Sequence, residues 1–69
     1  MAIPFKIRGE FIELIKLLKV TGISESGAQA QALVEANKVK VNGEIETRKR
    51  AKIKPGDRIE TADESIEVE

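Results

Sequence analysis

Apolar residues recur at helical spacing near the start of this chain and at strand spacing beyond its middle. Phe11, Leu14, Ile15 and Leu18 fall at i, i+3, i+4 and i+7, with Glu13 and Lys16 off the stripe. That spacing predicts a helix over residues 10–19. Thr21-Gly22 supplies its stop, since Gly suits the left-handed residue that closes a helix. A second helix starts near Ser24 or Ser26. Ser26 with Gln29 three residues on fits a capping box, and Ser24 also suits a cap. Ala28, Ala32, Leu33 and Ala36 predict a small-residue face for close helix packing. Asn37 then takes the closing left-handed position. Ahead of the first helix, Ile3 to Arg8 reads as a short strand, with Pro4 admissible only at an edge or a strand start.

After Asn37 the period changes to alternation, with Val39 and Val41 inward and Lys38 and Lys40 outward. Asn42-Gly43 predicts a two-residue type I′ hairpin turn, and Ile45 begins the return strand. Pro55-Gly56 predicts a second turn with Gly56 at positive φ. Ile59 to Thr61 and Ser65 to Val68 read as two further strands, joined through Ala62-Asp63-Glu64. The expected fold is α+β: two packed helices followed by a small antiparallel sheet, one domain over residues 1–69.

Composition narrows the chemistry. A chain of 69 residues buries only about 60% of its unfolded surface, so a large enclosed substrate pocket is not expected. The sequence holds no Cys and no His. Thiol nucleophiles, disulfides, the usual zinc sites and an imidazole base are thereby excluded. Nothing suggests a pocket that would raise the pKa of a carboxylate such as Asp63 or Glu64, so neither catalysis nor a cofactor is expected. No apolar run approaches the ~20 residues that span a bilayer, and no signal-peptide pattern opens the chain. The expectation is a soluble cytoplasmic protein.

Charge changes the picture more. Lys and Arg number 12 and Asp and Glu number 12, yet they are segregated. Residues 38–58 carry eight bases against three acids, and residues 59–69 carry five acids and no base. That asymmetry predicts one binding side. Within it, Arg48-Lys49-Arg50-Ala51-Lys52-Ile53-Lys54 places five cations in seven residues with no acid. If extended, the run puts Arg48, Arg50, Lys52 and Lys54 on one face and Lys49, Ala51 and Ile53 on the other. The result is a ladder with about 6.6 Å per step, suited to the repeating phosphates of a polyanion. Lys49 fits the inward face only if its stem snorkels out or a bulge near Ala51 rotates the strand. The aromatics are Phe5 and Phe11, and Phe11 is assigned to the helix stripe. Base-stacking platforms are therefore not expected, which favours backbone contacts to folded or double-helical nucleic acid.

The order of these elements resembles the S4 RNA-binding domain family, also called the αL motif. The resemblance rests on Ser24-Glu25-Ser26-Gly27-Ala28-Gln29-Ala30, Val39-Lys40-Val41-Asn42-Gly43, Glu46-Thr47-Arg48-Lys49-Arg50 and Lys54-Pro55-Gly56-Asp57-Arg58-Ile59. It covers roughly Phe11 to Ile59 and is nearest to a small stand-alone bacterial type. It implies non-catalytic binding of structured RNA, ribosomal or transfer, by a ribosome-associated monomer. By position it implicates Lys38, Lys40, Arg48, Lys49, Arg50 and Lys52, with Lys54 extending the ladder. Glu25 stands where many members carry a base, which leaves the basic strand as the main surface. The alternative is a small protein-interaction adaptor or ubiquitin-like module. Carrier chemistry is set aside for it because the chain ends Ile66-Glu67-Val68-Glu69 and not in Gly-Gly.

Overall fold

A computed structural model describes residues 2–62 and 64–69. The elements run β1 (Ala2–Phe5), β2 (Ile12–Glu13), α1 (Leu14–Val20), α2 (Gly27–Glu35), β3 (Lys40–Val41), β4 (Glu44–Ile45), β5 (Lys52–Ile53), β6 (Arg58–Glu60) and β7 (Ser65–Val68). A five-stranded sheet has the order β1-β7-β6-β3-β4, and β2 pairs with β5 in a second, two-stranded sheet. The class is α+β, as the periodicity implies. The larger sheet is mixed, however, because β1 joins β7 in parallel while its other pairs are antiparallel. Pro4 lies exposed on β1, an edge strand of this sheet, where a missing N–H costs no ladder bond.

Register explains the core. Ile3 pairs with Ile66, Ile66 with Ile59 and Ile59 with Val41, so one row of β-branched side chains crosses four strands. The neighbouring row, Ala2, Ser65, Glu60, Lys40 and Ile45, takes the opposite face by strand alternation. Leu14, Leu17 and Leu18 of α1 and Ala30 and Val34 of α2 join the first row in one buried cluster. Ile53 and Ala51 enter the same cluster from the second sheet.

The caps follow local chemistry. Ser26 is the N-cap of α2, with its hydroxyl accepting the Gln29 N–H at 3.2 Å, while Gln29 Oε1 accepts from Glu25 N–H. Ser24 is instead buried in the inter-helix connection. Asn37 closes α2 at φ +58, and two bonds of 3.1 Å complete a Schellman motif: Asn37 N–H to the Val34 carbonyl and Lys38 N–H to the Leu33 carbonyl. Asn42 and Gly43 both have positive φ, +53 and +86, as a type I′ turn requires.

Three expectations need correction. The first helix starts at Leu14, not near residue 10, because Ile12 and Glu13 are drawn into pairing with Ile53 and Lys52. Phe11 therefore leaves the helix stripe, and Leu17 takes a fully buried place within it. On α2 the buried residues are Ala30 and Val34, whereas Ala28, Ala32 and Ala36 are exposed. The larger Val34 side chain, rather than the count of alanines, sets which face turns inward. The third correction is the basic segment, described below. Of the Ala62-Asp63-Glu64 connection, Asp63 lies outside the described residues.

Two substitutions test this fold. Ile53 is 1% exposed, so Ile53→Ala is expected to cost about 2–5 kcal/mol of stability in chemical denaturation. Gly43→Val meets no steric neighbour, so its effect isolates backbone strain at φ +86. A loss of about 1–3 kcal/mol is expected, and an unchanged melting curve would refute the turn assignment.

Candidate nucleic-acid interface

The basic segment is a pinned turn, not an extended ladder. After Ile45 the Glu46 carboxylate accepts the backbone N–H groups of Thr47 at 3.0 Å and Arg48 at 3.2 Å, turning the chain away from the sheet. The Ala51 N–H then closes on the Arg48 carbonyl at 3.1 Å. Extended structure resumes only for Lys52 and Ile53, which pair with β2. Ala51 and Ile53 do face the core, at 5% and 1% exposure. The expected inward position of Lys49 disappears, because Lys49 and Arg50 occupy the centre of the turn and are exposed.

Helix α1 fixes this turn in place. Its N-cap, Glu13, makes no side-chain cap bond, and its first turn holds no acid. Leu14 N–H instead donates to the Ala51 carbonyl at 2.9 Å and Ile15 N–H to the Lys49 carbonyl at 3.2 Å. Helix starts leave their first amides without intrahelical partners. Here the backbone of the basic turn answers that need, and Arg48, Lys49 and Arg50 remain exposed.

The seven predicted site residues divide into groups. Arg48, Lys49 and Arg50 share the turn, and Lys52 follows on β5 directly opposite Glu13. Lys54 is exposed at the start of the Pro55-Gly56 turn, held there by its N–H to Asp57 Oδ2 at 2.8 Å. Lys38 and Lys40 line a different cleft with Asn37, Glu60 and Thr61. The Glu46 N–H to Val39 carbonyl bond, 3.0 Å, links the two regions through backbone.

Charge pairing is sparse. Arg48 Nη2 lies 3.2 Å from Glu46 Oε1, Arg50 Nε 3.9 Å from Glu13 Oε2, and Arg58 Nε 3.9 Å from Glu60 Oε1. Among the described residues, Lys38, Lys40, Lys49, Lys52 and Lys54 form no ion pair. Nor, among the described residues, does any acid of 59–69 lie within ion-pair distance of the turn. The Arg48 side-chain hydrogen bond holds the Glu46 carboxyl below its ordinary value, opposed by partial burial and aided by the backbone N–H groups.

One further feature escaped the sequence reading. Phe11 is exposed, and the Lys52 ammonium sits 5.0 Å from the centre of its ring. The ring borders an open cleft of about 470 Å³ that also takes Lys6, Arg8 and Lys16. Their signal was present as cations on both sides of an aromatic, but the helical periodicity of Phe11 masked it. No helix among the described residues is long and apolar enough to cross a membrane.

The Glu46 geometry carries a pH prediction. A depressed carboxyl pKa contributes stability that is present above the ordinary glutamate value and lost as pH falls through the lowered one. Melting temperature should decline over that acidic window, and Glu46→Gln should remove this part of the decline by abolishing the titration. Parallel melting curves for parent and variant across that window would show that the Glu46 catch is without effect.

Comparison with known proteins completes the description. The S4 domain family profile matches residues 5–69. The chain is 49% identical over 57 residues to the YbcJ protein of Escherichia coli (strain K12), which carries RNA binding in its name. That match covers 83% of this chain and 81% of the relative. YbcJ of Shigella flexneri matches at the same identity and coverage. The solution structure of E. coli YbcJ, described as revealing an αL motif involved in RNA binding, superposes with a TM-score of 0.74. The two share 44% identity, over 94% of this chain and 84% of that one.

Proposed function

The chain belongs to the S4 domain family, and from that premise we propose that it binds structured RNA through its basic turn. The family is a binding class and not a catalytic one. The observation that carries the reading is the use of the Lys49 and Ala51 carbonyls to cap α1. Backbone capping leaves the Arg48, Lys49 and Arg50 side chains exposed as a cluster on a fixed base. Fixed cations lose less freedom on meeting phosphates than cations on a mobile tail. The YbcJ relative, named for RNA binding, supports RNA as the polyanion.

A turn offers phosphates a different pattern from a ladder. Arg48, Lys49 and Arg50 radiate from one bend, with Lys52 beside them, so they suit a place where phosphates converge. Folded RNA supplies such places, and ribosomal or transfer RNA is the proposed target. Lys54, beyond Lys52, extends the contact, and Lys38 and Lys40 add to it from their separate cleft, with Lys40 the weakest contributor because Glu60 lies directly across from it.

Salt titration tests the electrostatic core of the proposal. Four phosphate contacts predict a log–log slope of about −3.6 on a duplex, or roughly a hundredfold loss between ~50 and ~200 mM salt. Lys49→Ala and Arg50→Ala are expected to weaken binding while stability stays within about 0.5 kcal/mol. A flat salt response, or alanine variants that unfold while keeping their affinity, would overturn the reading.

A further inference from the structure

Phe11 lies between the backbone that leaves β1 and the start of β2, and it is 42% exposed. A large aromatic side chain so placed contributes little to the core. Together with Phe5, Ile7, Ile12 and Val20 it gives the cleft of about 470 Å³ its apolar lining. That volume falls within the ~300–1,000 Å³ common for small-ligand sites. Three exposed cations, Lys6, Arg8 and Lys16, also line it, and Glu13 is the acid among the lining residues. None of the three cations is in an ion pair among the described residues, whereas Glu13 is already within 3.9 Å of Arg50.

An apolar lining accompanied by unpaired cations suits a flat π-surface that carries anions on both sides. A nucleobase between two phosphates has that form. A lipid tail or an apolar peptide would leave these charges without partners. The site is continuous with the basic turn: Lys52, next along from that turn, holds its ammonium 5.0 Å from the Phe11 ring centre yet lies outside the cleft wall.

We infer that the Phe11 cleft receives one unpaired nucleobase of the RNA held by the basic turn. Phe11 stacks on the base, and Lys6, Arg8 and Lys16 meet the adjoining phosphates. Structured RNAs expose such bases at bulges and loops, and aromatic stacking is how proteins commonly hold them. The inference rests on the RNA-binding reading and adds to it a preference for an interrupted helix over a continuous one.

Two probes separate the levels: a blunt RNA duplex with one bulged adenosine, and the same duplex without the bulge. The parent protein should bind the bulged duplex more tightly. Phe11→Ala should lower affinity for the bulged duplex about five- to hundredfold, the range of one base–aromatic stack, and leave the paired duplex unchanged. Phe11→Leu keeps apolar volume without a π-face and should lose the same preference. The chain has no Trp and no Tyr, so Phe11→Trp introduces a single indole whose fluorescence should be quenched by the bulged duplex alone. Equal binding of both duplexes, a Leu variant that keeps the preference, or an indole indifferent to the bulge would each overturn the stacking site and leave the basic turn standing. A parent that binds neither duplex would overturn the RNA-binding reading, and the stacking site with it.

Discussion

Two hydrogen bonds from the start of α1 organise the basic turn of this molecule. Leu14 and Ile15 donate to the carbonyls of Ala51 and Lys49, and no side chain performs that role. A helix beginning without a polar cap must find acceptors elsewhere, because unpaired buried amides are costly. Drawing them from residues 49 and 51 forces the basic segment against the helix. It also bends that segment, since a straight strand through residues 48–54 cannot satisfy both amides and the Glu46 catch. The same bonds place Ala51 and Ile53 in the core. Stability and cation display thus share one backbone connection. The placement runs against helix electrostatics, because a helix N-terminus is its positive end and disfavours nearby cations. Local conflicts of this kind concentrate where function and not stability sets the residue.

A second connection joins two turns that look independent along the chain. Asn42, in the left-handed region, accepts the Arg58 N–H at 2.9 Å and donates its side-chain amide to Asp57 Oδ1 at 3.0 Å. Asp57 Oδ2 in turn accepts the Lys54 N–H at 2.8 Å. The Asn42-Gly43 hairpin and the Pro55-Gly56 turn are therefore one hydrogen-bonded unit. Each short-range turn preference is reinforced by the other, and β3 is held beside β6 at its end.

The elements legible in the sequence are those whose cause is local. Ser26 caps α2 through Gln29, Asn37 ends it, and Asn42-Gly43 turns the hairpin, because each needs only residues within one turn. Pro4 on an edge strand belongs with them. What was not legible depends on partners far along the chain. Phe11, Leu14, Ile15 and Leu18 have helical spacing, yet pairing with residues 52–53 converts the first turn to strand and releases Phe11. Through residues 48–54 the exposure departs from expectation at Lys49, but extended pairing is confined to Lys52 and Ile53, because the Glu46 carboxylate and the amides of α1 claim the preceding backbone. The parallel β1–β7 pair joins the two ends of the chain and has no local signature at all. For the candidate site, residue types were readable and their grouping was not. Lys38 and Lys40 carry the right charge, but they line a cleft with Glu60 and not with the turn.

Formal neutrality does not weigh against a polyanionic partner, because the opposite charges lie in different places. Arg58 and Glu67 face each other across β6 and β7, and Lys40 and Glu60 across β3 and β6. The acids of the C-terminal strands thus balance the sheet and not the turn. Among the described residues, the acids within ion-pair distance of the turn are Glu46 and Glu13, and the Glu13 contact is long at 3.9 Å. At physiological ionic strength the Debye length is about 8 Å, less than half of the smallest extent of the molecule, 19 Å. Charges beyond that distance from the turn are largely screened, so on the proposed reading an approaching phosphate meets chiefly the local cations. The same screening removes any long-range pull on nucleic acid in general. On the proposed reading, binding depends on close fit between the clustered cations and a particular arrangement of phosphates, so shape and not net charge selects the partner.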